Sequence, residues 1–162
     1  MESAEQMKRR ALLAFMQDRP GVLNKVTMLI RRKMYNVETI TVCRTRTPGL
    51  SRMTLTLRED SDDKMRQVIK QLEKMTEVIS AKELDIDQSF WREVGIVKFE
   101  ADAKRIELLG QKYKFEILDR QNHELYIVQV TGTSKTIDDF LLDVGDEKIV
   151  EVARSGFTAL EK

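Results

Sequence analysis

The 162-residue sequence holds one cysteine, one histidine, one tryptophan and two prolines. A single cysteine excludes an internal disulfide and any multi-cysteine metal site. Within the strand-like run "VETITVC", Cys43 reads as a small buried hydrophobe rather than a nucleophile. Ser-His and Cys-His catalysis would both rest on His123, whose setting "RQNHEL" reads as a polar hairpin corner between two apolar runs. No GxxxxGK[ST] or GxGxxG turn is present to cradle a phosphate. Acidic residues are spread through charged helical faces, so no pair of carboxylates stands out for acid–base work. No apolar run approaches the roughly 20 residues that span a bilayer. The opening "MESAEQMKRR" has no signal-peptide h-region, so a soluble, cytoplasmic protein without membrane contact is expected.

Charge of one sign is also missing. The 28 basic and 27 acidic residues leave a net charge of +1, too little to draw nucleic acid or an anionic membrane. The clusters "KRR" (Lys8 to Arg10) and "RRK" (Arg31 to Lys33) read as solvated strand-start and helix faces. Six phenylalanines and three tyrosines do not gather into stacking platforms, and the Lys/Arg-Gly-aromatic signature of RNA-binding domains is lacking. No catalytic residue and no metal ligand is assigned. A binding or regulatory module is the expectation.

What is present is one pattern, twice. "ALLAFM" is a short apolar run closed by Pro20-Gly21, and Val22, Leu23, Val26, Leu29, Ile30 and Met34 then fall on one helical face. "NVETITVC" and the alternating Met53, Leu55 and Leu57 read as strands about the turn "TPGL". Asp62 and Asp63 suit a helix start; Met65, Val68, Ile69, Leu72 and Met75 form its stripe, and "VISAKEL" a fourth strand. The second half repeats the order with "EVGIVKFEA", the helical "DAKRIELLGQK" with a glycine near its end, "KFEILDR", "LYIVQVTG", a helix through Ile137, Phe140, Leu141 and Val144, and "KIVEVARSG". Equivalent elements are offset by roughly 75 residues.

Each β-α-β-β-α-β half predicts a ferredoxin-like α+β unit, an antiparallel sheet with both helices on one face. The units are placed at 9–86 and 92–157. The polar connector "LDIDQSFWRE" between them carries Trp91, expected to pack on a domain surface. Units this small bury little core and leave sheet edges open, so a dimer or larger assembly is expected.

The turn "QDRPGVLN" has two readings. It is a strand-to-helix corner in which Asp18 caps the helix by accepting from the Gly21 N–H, or a site offering free N–H groups and a positive dipole end to a carboxylate. Pro20 removes a donor that would be orphaned anyway, and Gly21 lets another group approach closely.

The stretch "DRPGVLNKVTMLIRRKMYNVETITV" resembles the first β-α-β segment of an ACT domain, an amino-acid-sensing module. With "YNVETITV", "LSRMTL" and "KIVEVARSG" in this order, the chain resembles the regulatory small subunits of acetolactate synthase from about Arg9 to Gly156. The resemblance implies a non-catalytic subunit with no cofactor of its own. Its catalytic partner would carry thiamine diphosphate, FAD and Mg²⁺ and join two 2-oxo acids with loss of CO₂. The small subunit would activate that partner and confer feedback inhibition by valine, bound between the ACT domains of a homodimer.

Carried over, the resemblance places the effector on Asp18, Gly21, Val22 and Leu23 of one chain and on Asn36 and Val37 of the other. N–H groups near Gly21 to Leu23 would hold the carboxylate, Asn36 or Asp18 the ammonium, and Val37 the isopropyl group. The C-terminal half would serve dimerisation and communication with the catalytic subunit. Family members commonly carry Asn at position 18 and Gly at 34, so Asp18 and Met34 are departures, and Met34 is expected to alter the path into Asn36. Ser51, Arg52, Arg154 and Ser155 belong to the resemblance, either as strand-end structure or as partner contacts. A stand-alone ACT-type sensor acting on another partner is the competing reading.

Overall fold

A computed structural model describes residues 8–85, 87–122 and 124–162; the start of the N-terminal stretch and His123, read above as a hairpin corner, lie outside them. The elements run β1 (Arg9–Gln17), α1 (Val22–Arg32), β2 (Val37–Arg44), β3 (Leu50–Arg58), α2 (Asp62–Glu73), β4 (Val78–Glu83), β5 (Ser89–Glu100), α3 (Ala103–Lys112), β6 (Phe115–Gln121), β7 (Leu125–Gly132), α4 (Ser134–Val144) and β8 (Ile149–Glu161). Two four-stranded antiparallel sheets result, ordered β2-β3-β1-β4 and β6-β7-β5-β8. This is the ferredoxin-like order, twice. The chain divides into a unit that ends at Phe90 and takes back Ala159–Lys162, and a unit formed by Trp91–Thr158.

In the first unit, alternate residues of the sheet meet the apolar stripes of both helices. Leu12, Ala14 and Met16 of β1 and Met53, Leu55 and Leu57 of β3 pack with Val22, Val26 and Ile30 of α1 and Met65, Val68 and Leu72 of α2. Side chains of this kind, when truncated to alanine, cost about 2–5 kcal/mol each. Ser61 caps α2 by accepting from the Lys64 N–H at 3.3 Å, and Asp62 and Asp63 occupy the favourable first turn.

The second unit repeats the plan with Val97 and Phe99 of β5, Tyr126, Val128 and Val130 of β7, Leu109 of α3, and Ile137 and Phe140 of α4. Helix α4 comes close to the sheet at Gly95, where an added Cβ would lie 3.2 Å from Ile137. Trp91 is half-buried and packs against Phe157, ring centroids 4.9 Å apart and planes tilted by 60°.

Several expectations are corrected. Cys43 is exposed: it lies on the edge strand β2 opposite Arg52, on the face away from the Ile40–Leu55 and Val42–Met53 pairs. Arg10 of the "KRR" cluster is only 6 % exposed, its Nε and Nη2 on Glu83 at 2.7 Å and its Nη1 on Asp62 at 2.8 Å. The connector is shorter than expected, because β5 already begins at Ser89 and carries Trp91. β8 runs past Gly156 to Glu161, and Lys148 stands in a short 3-10 turn before it. Gly110 lies near the end of α3, as expected, and Tyr113 is the residue at the helix C-cap.

Candidate functional site

The Pro20-Gly21 turn joins β1 to α1 with Gly21 at φ 86°, ψ −15°, a left-handed conformation that glycine adopts without penalty. No side chain caps the helix. The Val22 N–H reaches the Arg19 carbonyl at 3.3 Å, and the first helical bond, from Lys25 N–H to the Gly21 carbonyl, follows at 3.0 Å. The space over Gly21 is open, with nothing within 4 Å of an added Cβ. Val22 is buried in the core, whereas Leu23 is exposed.

Asp18 is therefore not the cap. Its backbone N–H extends the ladder to the Gly49 carbonyl at 2.9 Å, and its carboxylate turns toward the ends of β2 and β3. Oδ1 accepts from Ser51 Oγ at 3.2 Å, and Oδ2 pairs with Arg44 Nε at 2.8 Å. Ser51 was legible as a family position without a role, and Arg44 drew no notice. Their meeting with Asp18 follows from strand register, since Ser51 lies opposite Arg44 on one side and Met16 on the other.

Asn36 and Val37 stand beyond the other end of α1. Helix α1 closes with the two overlapping bonds of a Schellman exit, Met34 N–H to the Arg31 carbonyl at 3.0 Å and Tyr35 N–H to the Ile30 carbonyl at 3.3 Å. Met34 takes the left-handed position at φ 59° that glycine would occupy, so this departure does not divert the path into Asn36. Asn36 is exposed, and Val37 is half-buried against the core. Beside them a cleft of about 480 Å³ is lined by Ile30, Met34, Tyr35, Asn36, Val37 and Ile40, among others. Arg31 also lines this cleft, and burial, then the charge of Glu59, raises the Tyr35 phenol above its ordinary value.

Within the chain the two groups of expected effector residues are thus not brought together. Helix α1, 11 residues long, separates them. Its length is roughly 16 Å at the usual rise per residue. Just past this cleft, Glu38 sits at an irregularity of the β2–β3 ladder and bridges Arg9 Nε at 2.6 Å and Arg58 Nε at 2.5 Å. Burial alone would push its carboxyl up, but the two guanidinium groups together hold it below the ordinary value.

The other positions singled out by resemblance make contacts within the chain. Arg52 donates to the Ala159 carbonyl. Arg154 is paired with Glu93 and Asp138, and Ser155 Oγ accepts from the Val94 N–H at 3.1 Å. Among the described residues no group of three or more His, Cys, Asp or Glu is placed to hold a metal, and no helix is long and apolar enough to cross a membrane.

Comparison with known families finds an "AHAS small subunit-like ACT domain" over residues 12–80 and the "Small subunit of acetolactate synthase" over residues 92–162. The chain is 37 % identical over 153 residues to a probable acetolactate synthase small subunit of Methanothermobacter thermautotrophicus, covering 92 % of this chain and 90 % of the relative. It is 36 % identical over 159 residues to the acetolactate synthase isozyme 3 small subunit of Escherichia coli, covering 95 % and 96 % of the two chains. The crystal structure of the Thermotoga maritima small subunit superposes with a TM-score of 0.87 at 27 % identity, over 96 % of this chain and 98 % of that one.

Proposed function

The chain belongs to the acetolactate synthase small subunits, and from that premise we propose that it activates a thiamine-diphosphate-dependent catalytic subunit and mediates its feedback inhibition by valine. In this reading the chain is cytoplasmic and contributes no cofactor. Thiamine diphosphate, FAD and Mg²⁺ sit on the catalytic subunit, which joins two 2-oxo acids with release of CO₂. Neither a nucleic acid nor a membrane is a partner.

The observation that carries the effector assignment is the turn at Gly21. A left-handed residue opens a helix whose N-terminus no side chain caps, with free space above it. Backbone N–H groups and the helix dipole there suit a carboxylate. Asp18 offers the ammonium an acceptor at the same turn. Val37, suited to the apolar part, and Asn36, a further acceptor for the ammonium, lie beside their cleft at the far end of α1. One protomer cannot supply both halves to one small amino acid, so a homodimer is the natural assembly, with the turn of one copy facing Asn36 and Val37 of the other. β2, which starts at Val37, is an edge strand and leaves that side of the sheet open for a second copy.

The test is acetolactate production by the catalytic subunit from the same cell, alone, with this chain, and with this chain plus valine. Stimulation that valine reverses is expected. Absence of stimulation would overturn the regulatory role, and stimulation indifferent to valine would overturn the effector assignment alone.

A further inference from the structure

We propose that Arg44 is an exchangeable counter-ion at the turn, paired with Asp18 until the ammonium of an amino acid replaces it. The inference rests on the reading of the turn as the effector site and adds the group that sets its charge preference.

The two oxygens of the Asp18 carboxylate are held in unlike ways. Oδ1 accepts from Ser51, a residue only 3 % exposed and fixed by ladder partners on both sides. Oδ2 faces Arg44 Nε at 2.8 Å, and that arginine side chain is 85 % exposed. The hidden hydroxyl fixes the orientation of the carboxylate. The exposed guanidinium gives little stability, because a solvated ion pair is weak and a long side chain is ordered to make it. Of the two partners Arg44 is the one a ligand can displace.

A compact ammonium matches Oδ2 as a point charge. The displaced guanidinium stays tethered at the end of β2, and its planar donors suit a carboxylate. Arg44 therefore opposes a ligand's ammonium and favours its carboxylate. Ser51 is a positioning residue that acts through Asp18.

These opposed effects separate with half-ligands. The full chain is titrated calorimetrically with L-valine, with L-valinamide (ammonium only) and with 3-methylbutanoate (carboxylate only). Arg44→Gln is expected to bind valinamide about threefold more tightly and 3-methylbutanoate about threefold more weakly than the unaltered chain, the scale of an exposed ion pair. Ser51→Ala is expected to weaken valinamide. An Arg44→Gln chain that binds valine while both half-ligands shift in the same direction, or neither shifts, overturns the proposal alone. An unaltered chain that binds none of the three overturns the site assignment together with it.

Discussion

Arg154 closes on Glu93 with two parallel bonds, Nε to Oε1 at 3.1 Å and Nη2 to Oε2 at 2.7 Å, while its Nη1 reaches Asp138 at 2.6 Å. The Glu93 side chain is only 3 % exposed, so its charge is tolerable only with that partner in place. The pair ties the start of β5 to β8, and the Asp138 bond adds α4.

Arg154→Met should therefore destabilise the second unit by about 3 kcal/mol, because it strands a buried carboxylate. The double variant Arg154→Met with Glu93→Gln should recover part of that loss, since the charge left behind is gone. Urea unfolding of the full chain measures both. A single variant as stable as the unaltered chain would show that the pair contributes nothing.

Much of the fold was legible because apolar spacing alone carried it. The stripes through Val22, Val26 and Ile30, and through Met65, Val68 and Leu72, became the helix faces of the first core. What local pattern could not carry was lateral position within a sheet. Cys43 sits in an apolar run, yet β2 is an edge strand and the register turns this residue away from the helices. Arg10 sits in a basic run, yet β1 is a central strand beside β4, and Glu83 and Asp62 neutralise it. The turn at Gly21 was readable from Pro-Gly before a helical stripe. Its surroundings were not, because Arg44 and Ser51 reach Asp18 across 26 and 33 residues of sequence. Met34 shows a backbone pattern outliving its usual residue. The Schellman bonds persist with a methionine at φ 59° whose side chain is 88 % exposed.

Glu38 gives the first unit a measurable acid sensitivity. Arg9 and Arg58 are directly opposite on β1 and β3, two like charges that the Glu38 carboxylate bridges. Its folded pKa lies below the ordinary value of 4.5. The stability it contributes is thus complete above the unfolded value and is lost as pH falls through the folded one. Glu38→Gln should destabilise the chain at about pH 6 and matter progressively less toward about pH 3. Denaturant titrations of both chains across that range provide the check. A difference that stays constant or grows on acidification would mean that the carboxylate is not held in its charged form.

Gly21→Asp tests the turn itself. At φ 86° any L side chain is strained, which costs about 1–2 kcal/mol, but nothing lies within 4 Å of the new Cβ. Aspartate tolerates the left-handed region better than most residues. The unit should therefore remain folded, with unchanged far-ultraviolet circular dichroism. The new carboxylate would stand at the uncapped end of α1, where it competes for the N–H groups and repels the carboxylate of an amino acid. Valine inhibition of the complex should vanish while stimulation of the catalytic subunit persists. Loss of stimulation as well would tie the turn to subunit contact, and retained inhibition would place the effector elsewhere on the chain.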